Sequence, residues 1–147
     1  MVLCQYYLVV VNGIEEIVKL MLAKDGVDPN FKDNGGRTPL WWATWCGHEH
    51  VVKRLLMTDG VDPDFKDNDG RTPLSQATKM RHFALVKLLL AKDGVDLNSE
   101  DNDGRTPLWW AVAEGHQAVV ERLLSKDGVV NLDSQDYNGL VMYTDES

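Results

Sequence analysis

The pentapeptide Gly-Arg-Thr-Pro-Leu occurs three times in this chain, at Gly36–Leu40, Gly70–Leu74 and Gly104–Leu108, at a constant interval of 34 residues. A fixed period of roughly 20–50 residues marks a repeat architecture, in which each unit buries its apolar face only against its neighbours. The interval divides the 147 residues into three full units, 25–58, 59–92 and 93–126, that open at Asp25, Asp59 and Asp93. Residues 1–24 read as the two-helix part of an upstream unit with a diverged start, and 127–147 as the beginning of a fourth. One repeat domain spanning 1–147 is expected.

Each unit has a local logic. Thr38, Thr72 and Thr106 can cap a helix with their hydroxyls, and the prolines that follow sit at the first helical position, where a missing N–H costs nothing. That helix is short and ends near Gly47 or Gly115, glycine being suited to the left-handed conformation of a helix terminus. A second helix follows, with Val51, Val52, Leu55 and Leu56 at helical spacing. The Asp-, Asn- and Gly-rich stretch from Val61 to Gly70 then reads as an extended hairpin with a tight turn near Asn68-Asp69-Gly70.

The string Asp33-Asn-Gly-Gly-Arg-Thr-Pro-Leu40, then Ala43, Gly47-His48 and Val51-Val-Lys-Arg-Leu-Leu56, recurs in register along nearly the whole chain. It resembles the ankyrin repeat family. Long fungal ankyrin arrays are similar in their Lys-Asp-Gly-Val-Asp and Lys-Asp-Asn-Asp-Gly phrases. The resemblance implies an all-α solenoid of stacked helix-turn-helix units joined by β-hairpin loops. It also implies a non-enzymatic, cofactor-free module that binds a partner protein on its concave groove and hairpin tips. Three departures stand out. The family's His-Leu after Thr-Pro-Leu is Trp41-Trp42, Ser75-Gln76 and Trp109-Trp110; Arg81 replaces a glycine; and one residue is added around Met57–Asp59.

The resemblance places particular residues on the binding surface. Those before the Gly-His position face the groove, namely Trp45 and Cys46, Lys79 and Met80, and Ala113 and Glu114. Trp45 is either an exposed anchor for a partner or a packed ring. The tips add Arg37, Arg71 and Arg105, with Asn68, Asp69, Asn102 and Asp103. The three arginines either form a row that contacts partner carboxylates, which guanidinium does well, or pair with the acids of their own tips. Trp42 and Trp110 stand where the family buries a leucine. Trp41 and Trp109 are expected at repeat boundaries, partly covered.

Composition narrows the partners. The net charge is −8, and lysines alternate with acids inside each unit. Phosphate backbones need clustered Lys and Arg, so nucleic acid is disfavoured, as is an anionic membrane, and a basic protein partner is mildly favoured. Two cysteines, Cys4 and Cys46, make no disulfide framework and fit the reducing cytoplasm or nucleus. The apolar start Met1–Val11 lacks a basic leader and is too short to span a bilayer.

Candidate chemistry has simpler explanations. Cys46, His48 and His50 lie close together, but His48, His82 and His116 share one repeat position that suits a loop-tying hydrogen bond. Asp67-x-Asp69-Gly70 and Asp101-x-Asp103-Gly104 resemble part of a calcium loop. The remaining ligand positions hold Phe65 and Gln76, or Ser99 and Trp110, so turn chemistry accounts for the acids. No phosphate loop, nucleophile elbow or His-Glu-x-x-His is present. Neither end carries the polar outer face of a capping repeat. That suggests self-association, or a structural or regulatory piece of a longer array, for example of a multidomain receptor-like protein.

Overall fold

The computed structural model describes residues 2–126. Among them the chain forms eight helices in four antiparallel pairs: α1 (Val2–Val11) with α2 (Glu15–Leu22), α3 (Pro39–Cys46) with α4 (Glu49–Leu56), α5 (Pro73–Lys79) with α6 (Phe83–Ala91), and α7 (Pro107–Ala113) with α8 (Gln117–Leu124). The first helices of successive pairs pack in a row, α1 on α3, α3 on α5 and α5 on α7. The second helices form a parallel outer row, α2, α4, α6 and α8. The described residues thus take in the expected units 25–58, 59–92 and 93–126 and all but the first residue of the expected partial unit 1–24, while the expected partial unit 127–147 lies outside them.

The repeated Thr-Pro starts each inner helix of the full units as expected. Thr38 Oγ1 accepts from the Trp41 N–H at 3.2 Å, Thr72 Oγ1 from Ser75 at 3.3 Å, and Thr106 Oγ1 from Trp109 at 3.2 Å. Each saves a donor that a helix start otherwise leaves unpaired. Gly47 ends α3 with φ 76°. In the middle unit Arg81 occupies the same left-handed place, at φ 64°. The chain reverses there as it does at Gly47: the His82 N–H reaches the Ala77 carbonyl at 3.0 Å, as His48 reaches Ala43.

The core is built in layers of equivalent residues. Leu40, Leu74 and Leu108, Ala43, Ala77 and Ala111, and Leu55, Leu89 and Leu123 are all buried. At roughly 1.5–3 kcal/mol for each fully buried aliphatic side chain, these layers hold the stack together. The middle unit is tightly enclosed, with every residue from Thr72 to Thr78 buried. At the upstream end the layering stops. Ile17 is 39 % exposed where its counterpart Val51 is fully covered, and Leu8 is 64 % exposed.

The hairpins are tighter than an extended pair. No strand occurs among the described residues. Each tip closes on a turn bond from the Gly36, Gly70 or Gly104 N–H to the Asp33, Asp67 or Asp101 carbonyl, at 2.9–3.0 Å, and on one further backbone bond: Asp33 N–H to the Arg37 carbonyl, Asp67 to Arg71 and Asp101 to Arg105, at 3.0–3.1 Å. The arms separate beyond that bond because Arg-Thr-Pro turns at once into a helix.

Candidate functional site at the hairpin tips

Three aspartates organise the tips. Asp33 Oδ1 accepts the backbone N–H groups of Gly35 and Arg37, Asp67 Oδ1 those of Asp69 and Arg71, and Asp101 Oδ1 those of Asp103 and Arg105, all at 2.9–3.0 Å. The second oxygen of each carboxylate catches an indole. Asp33 Oδ2 accepts from Trp42 Nε1, Asp67 Oδ2 from Trp41 Nε1 and Asp101 Oδ2 from Trp110 Nε1. Asp67 reaches back to the preceding unit because its own unit carries Gln76 where the tryptophan stands. Burial alone would raise the Asp33 carboxyl. The N–H bonds from Arg37, Trp42 and Gly35 and the Arg37 charge outweigh it and hold Asp33 below the ordinary carboxylate value.

Neighbouring tips are stitched together. Asn68 Nδ2 donates to the Asn34 carbonyl at 2.9 Å and Asn102 Nδ2 to the Asn68 carbonyl at 2.8 Å. The Asn68 and Asn102 backbone N–H groups donate to Gly35 and Asp69 carbonyls. These contacts leave no room for a side chain at Gly36 or Gly70. A Cβ on Gly70 would lie 2.8 Å from the Asn102 nitrogen, and its φ of 76° is left-handed as well.

The arginines are engaged within their own tips, so they do not form a row of unpaired guanidiniums. Arg37 Nε pairs with Asp33 at 3.0 Å, Arg71 Nη1 with Asp69 at 3.1 Å, and Arg105 with Asp101 and Asp103. All three also lie over tryptophans, Arg37 at 4.6 Å from the Trp42 ring, Arg105 at 4.4 Å from Trp110, and Arg71 more distantly, at 5.9 Å from the Trp110 ring of the next unit. Arg71 has no such platform in its own unit, where the Trp pair is Ser75-Gln76.

Trp45 stands out on the inner row. It is 41 % exposed yet stacks nearly parallel on the buried Trp41, with ring centroids 5.3 Å apart and planes at 10°. Trp41 is more deeply covered than expected, at 4 % exposure, because Trp45 roofs it and Asp67 takes its N–H. Trp109 is also buried. Trp110 is buried as expected, whereas Trp42 is half-buried beside Tyr7, which donates its hydroxyl to the Arg37 carbonyl at 2.8 Å.

A cavity of about 470 Å³ opens between the first two tips. It is lined by Trp45, Arg37, Arg71, Asn68 and Asp69, together with Gly35, Trp41, Trp42 and Asp67. It thus gathers five of the sequence-predicted residues. The other eight lie apart from it: Cys46, Lys79, Met80, Ala113, Glu114, Arg105, Asn102 and Asp103. Lys79 sits 4.5 Å over the Trp110 ring; burial, then the Arg71 and Arg105 charges, pull its ammonium below the usual value. Met80 is 36 % exposed, and Ala113 and Glu114 are exposed. Burial pushes the Cys46 thiol up, away from the reactive thiolate form. Sequence reasoning treated Trp41, Trp42 and Asp67 as packing and turn residues alone. Asp67 stands 26 and 25 residues after Trp41 and Trp42 along the chain, a spacing that gives no sign that the three share one wall.

The histidines tie units together. His48 Nε2 donates to the Val11 carbonyl and His82 Nε2 to the Trp45 carbonyl, at 2.6 and 3.2 Å. His116 Nδ1 instead accepts from Arg81 Nε at 3.0 Å. Among the described residues no cluster of three or more His, Cys, Asp or Glu is placed to hold a metal, and no helix is long and apolar enough to cross a membrane.

A family model described as ankyrin repeats in three copies matches residues 6–67 and 47–136. The chain belongs to the ankyrin repeat family. Ankyrin repeats are in general protein–protein interaction modules rather than enzymes, and the stacked helix pairs and tips described above are the frame on which such modules present a surface. Comparison with curated proteins gave no match.

Proposed function

We propose that this ankyrin domain is a non-catalytic docking module whose groove, at the cavity between the first two tips, seats a segment of a partner protein. The observation that carries this reading is Trp45, a large ring held rigidly on Trp41 but left open to the cavity. Aromatic anchors of this kind dominate interface energetics, and a ring already fixed loses little entropy on binding. Around the groove, Asp33, Asp67, Asp69, Asp101, Asp103 and Glu114 outnumber Arg37, Arg71, Arg105 and Lys79. The cations are largely neutralised inside the tips, while Asp69 and Asp103 remain 67 % and 63 % exposed. That balance, with the net charge of −8, suits a basic segment. Selectivity rests on the positions that vary between units, Trp45, Cys46, Lys79, Met80, Ala113 and Glu114.

Affinity capture with quantitative mass spectrometry tests the reading. A partner retained by the wild-type chain should be lost or strongly depleted with Trp45→Ala and weakened with Arg71→Ala, while circular dichroism stays unchanged. Full retention by both variants would show that the surface is wrongly assigned.

A second reading is favoured by the apolar upstream face, where Leu8, Ile17 and Leu20 are 64 %, 39 % and 72 % exposed. Such a face suits a further layer, from another repeat or a second copy, and the domain then serves as part of a longer array. Sedimentation velocity separates the two: a clean monomer at high concentration counts against it, and association abolished by Leu20→Lys supports it.

A further inference from the structure

We propose that the outer-helix face between α4 and α6 is a second docking surface, one that takes an acidic amphipathic segment of a partner protein. Two adjoining clefts of about 460 and 390 Å³ run along this face and share Lys53, Leu88 and Ala91. Their floor is apolar, from Leu56, Met57, Leu88 and Ala91, and Met57 is 69 % exposed. Their rim is cationic, with Lys53, Lys87 and Arg122 on the first cleft and Lys92 on the second; His50 and the single carboxylate Glu49 complete it. In a chain of net charge −8 this is a local inversion of sign. It arises in part from the repeat, because the 34-residue period stacks Lys19, Lys53 and Lys87 on α2, α4 and α6 before giving way to Glu121 on α8.

These cations differ from those of the groove. Among the described residues the ion pairs engage Arg37, Arg54, Arg71 and Arg105, and none engages Lys53, Lys87 or Arg122. Lys87 Nζ lies 5.7 Å from the ring of Phe83, itself 40 % exposed, and Lys92 Nζ donates to the Leu56 carbonyl. The complement of an apolar floor with a positive rim is a segment with apolar side chains along one side and carboxylates along its flanks. An amphipathic helix has that form, and grooves recognise it through such a stripe. Methionine suits the floor because its flexible thioether adapts to varied shapes. A nucleic acid backbone would satisfy the rim and leave the floor uncovered.

The test uses the full chain and a fluorescein-labelled amphipathic peptide of leucine and glutamate, with a lysine-for-glutamate version as control, by fluorescence anisotropy. The glutamate peptide should bind and the lysine peptide should not, with affinity falling as salt rises. Lys53→Glu with Lys87→Glu should weaken binding on the order of tenfold, since each exposed pair is worth up to a few-fold and reversal adds repulsion. Lys53→Arg with Lys87→Arg should retain it. Met57→Ser, which leaves every charge in place, should weaken it about threefold through the floor. Trp45→Ala should leave it unchanged, which separates this surface from the groove. Equal binding of both peptides, or indifference to the charge reversal and to Met57→Ser, overturns the proposal. So does equally tight, lysine-dependent binding to phosphatidylserine vesicles or a DNA duplex. Lysine-dependent self-association in sedimentation would assign the face to a second copy instead.

Discussion

Gln76 should be a liability that a single substitution removes. It lies on α5, fully buried, and among the described residues neither its amide oxygen nor its amide nitrogen has a hydrogen-bond partner. The cause is visible in the flanking units. Trp42 and Trp110 hold the same place and each donates its one N–H to the aspartate of its own tip. In the middle unit that aspartate, Asp67, already takes the Trp41 indole on Oδ2 and two backbone donors on Oδ1. A buried amide left unpaired costs about 1–3 kcal/mol. Gln76→Met keeps the length and most of the volume while removing both polar atoms. It should therefore stabilise the domain by about 1–3 kcal/mol. In urea denaturation followed by circular dichroism, with a slope of roughly 2 kcal/mol per molar for a chain of this size, the midpoint should rise by roughly 0.5–1.5 M without a change of slope. Gln76→Ala, which opens a void in the same layer, should lack this gain. A Gln76→Met variant less stable than wild type by more than about 0.5 kcal/mol would refute the reasoning, because it would mean that the amide is satisfied in solution.

Gly70→Ala should cost about 3 kcal/mol, from left-handed strain plus collision with the Asn102 backbone. Gly94→Ala, where φ is 84° but a Cβ meets nothing, should cost only about 1 kcal/mol; equal losses in thermal melts would contradict the tip packing. Trp41→Ala should destabilise by about 3–5 kcal/mol, as buried aromatics do, and the half-exposed Trp45→Ala by about 1 kcal/mol. Equal losses would make Trp45 a packing residue. Because the folded pKa of Asp33 is depressed, its stabilisation is complete above the unfolded value near about 4 and is lost as pH falls through the folded value. Asp33→Asn should therefore flatten the acid limb of a urea-midpoint profile between roughly pH 5 and 2, and an unchanged limb would exclude the carboxylate as its source.

Local signals in the sequence were read well because their physics is local. Thr38-Pro39 specifies a capped start and Gly47 a left-handed stop whatever surrounds them, and the period itself places Leu40, Leu74 and Leu108 in one layer. Pairing between units was harder to read. An identical motif in every unit says where a residue sits, not which neighbour it chooses. Trp42 turns to the aspartate of its own unit and Trp41 to that of the next, and the choice depends on Gln76 one layer away. The arginines show the same limit: the sequence leaves open whether they form a row toward a partner or pair with the acids of their own tips, and each finds an acid of its own tip and an indole. Of the variable groove positions only Trp45 reaches the cavity, since Lys79 bends away onto Trp110.

The bonds between tips join like atoms one period apart: Asn68 Nδ2 to the Asn34 carbonyl, then Asn102 Nδ2 to the Asn68 carbonyl. Each of the three full units therefore carries the same plug and the same socket. Removing or duplicating one 34-residue block, whether by genetic recombination or by an engineer, leaves each surviving asparagine opposite a carbonyl of the same kind. The length of the array can drift without orphaning these contacts, and a partner gripping one stretch of tips would find its footing kept when units are added elsewhere.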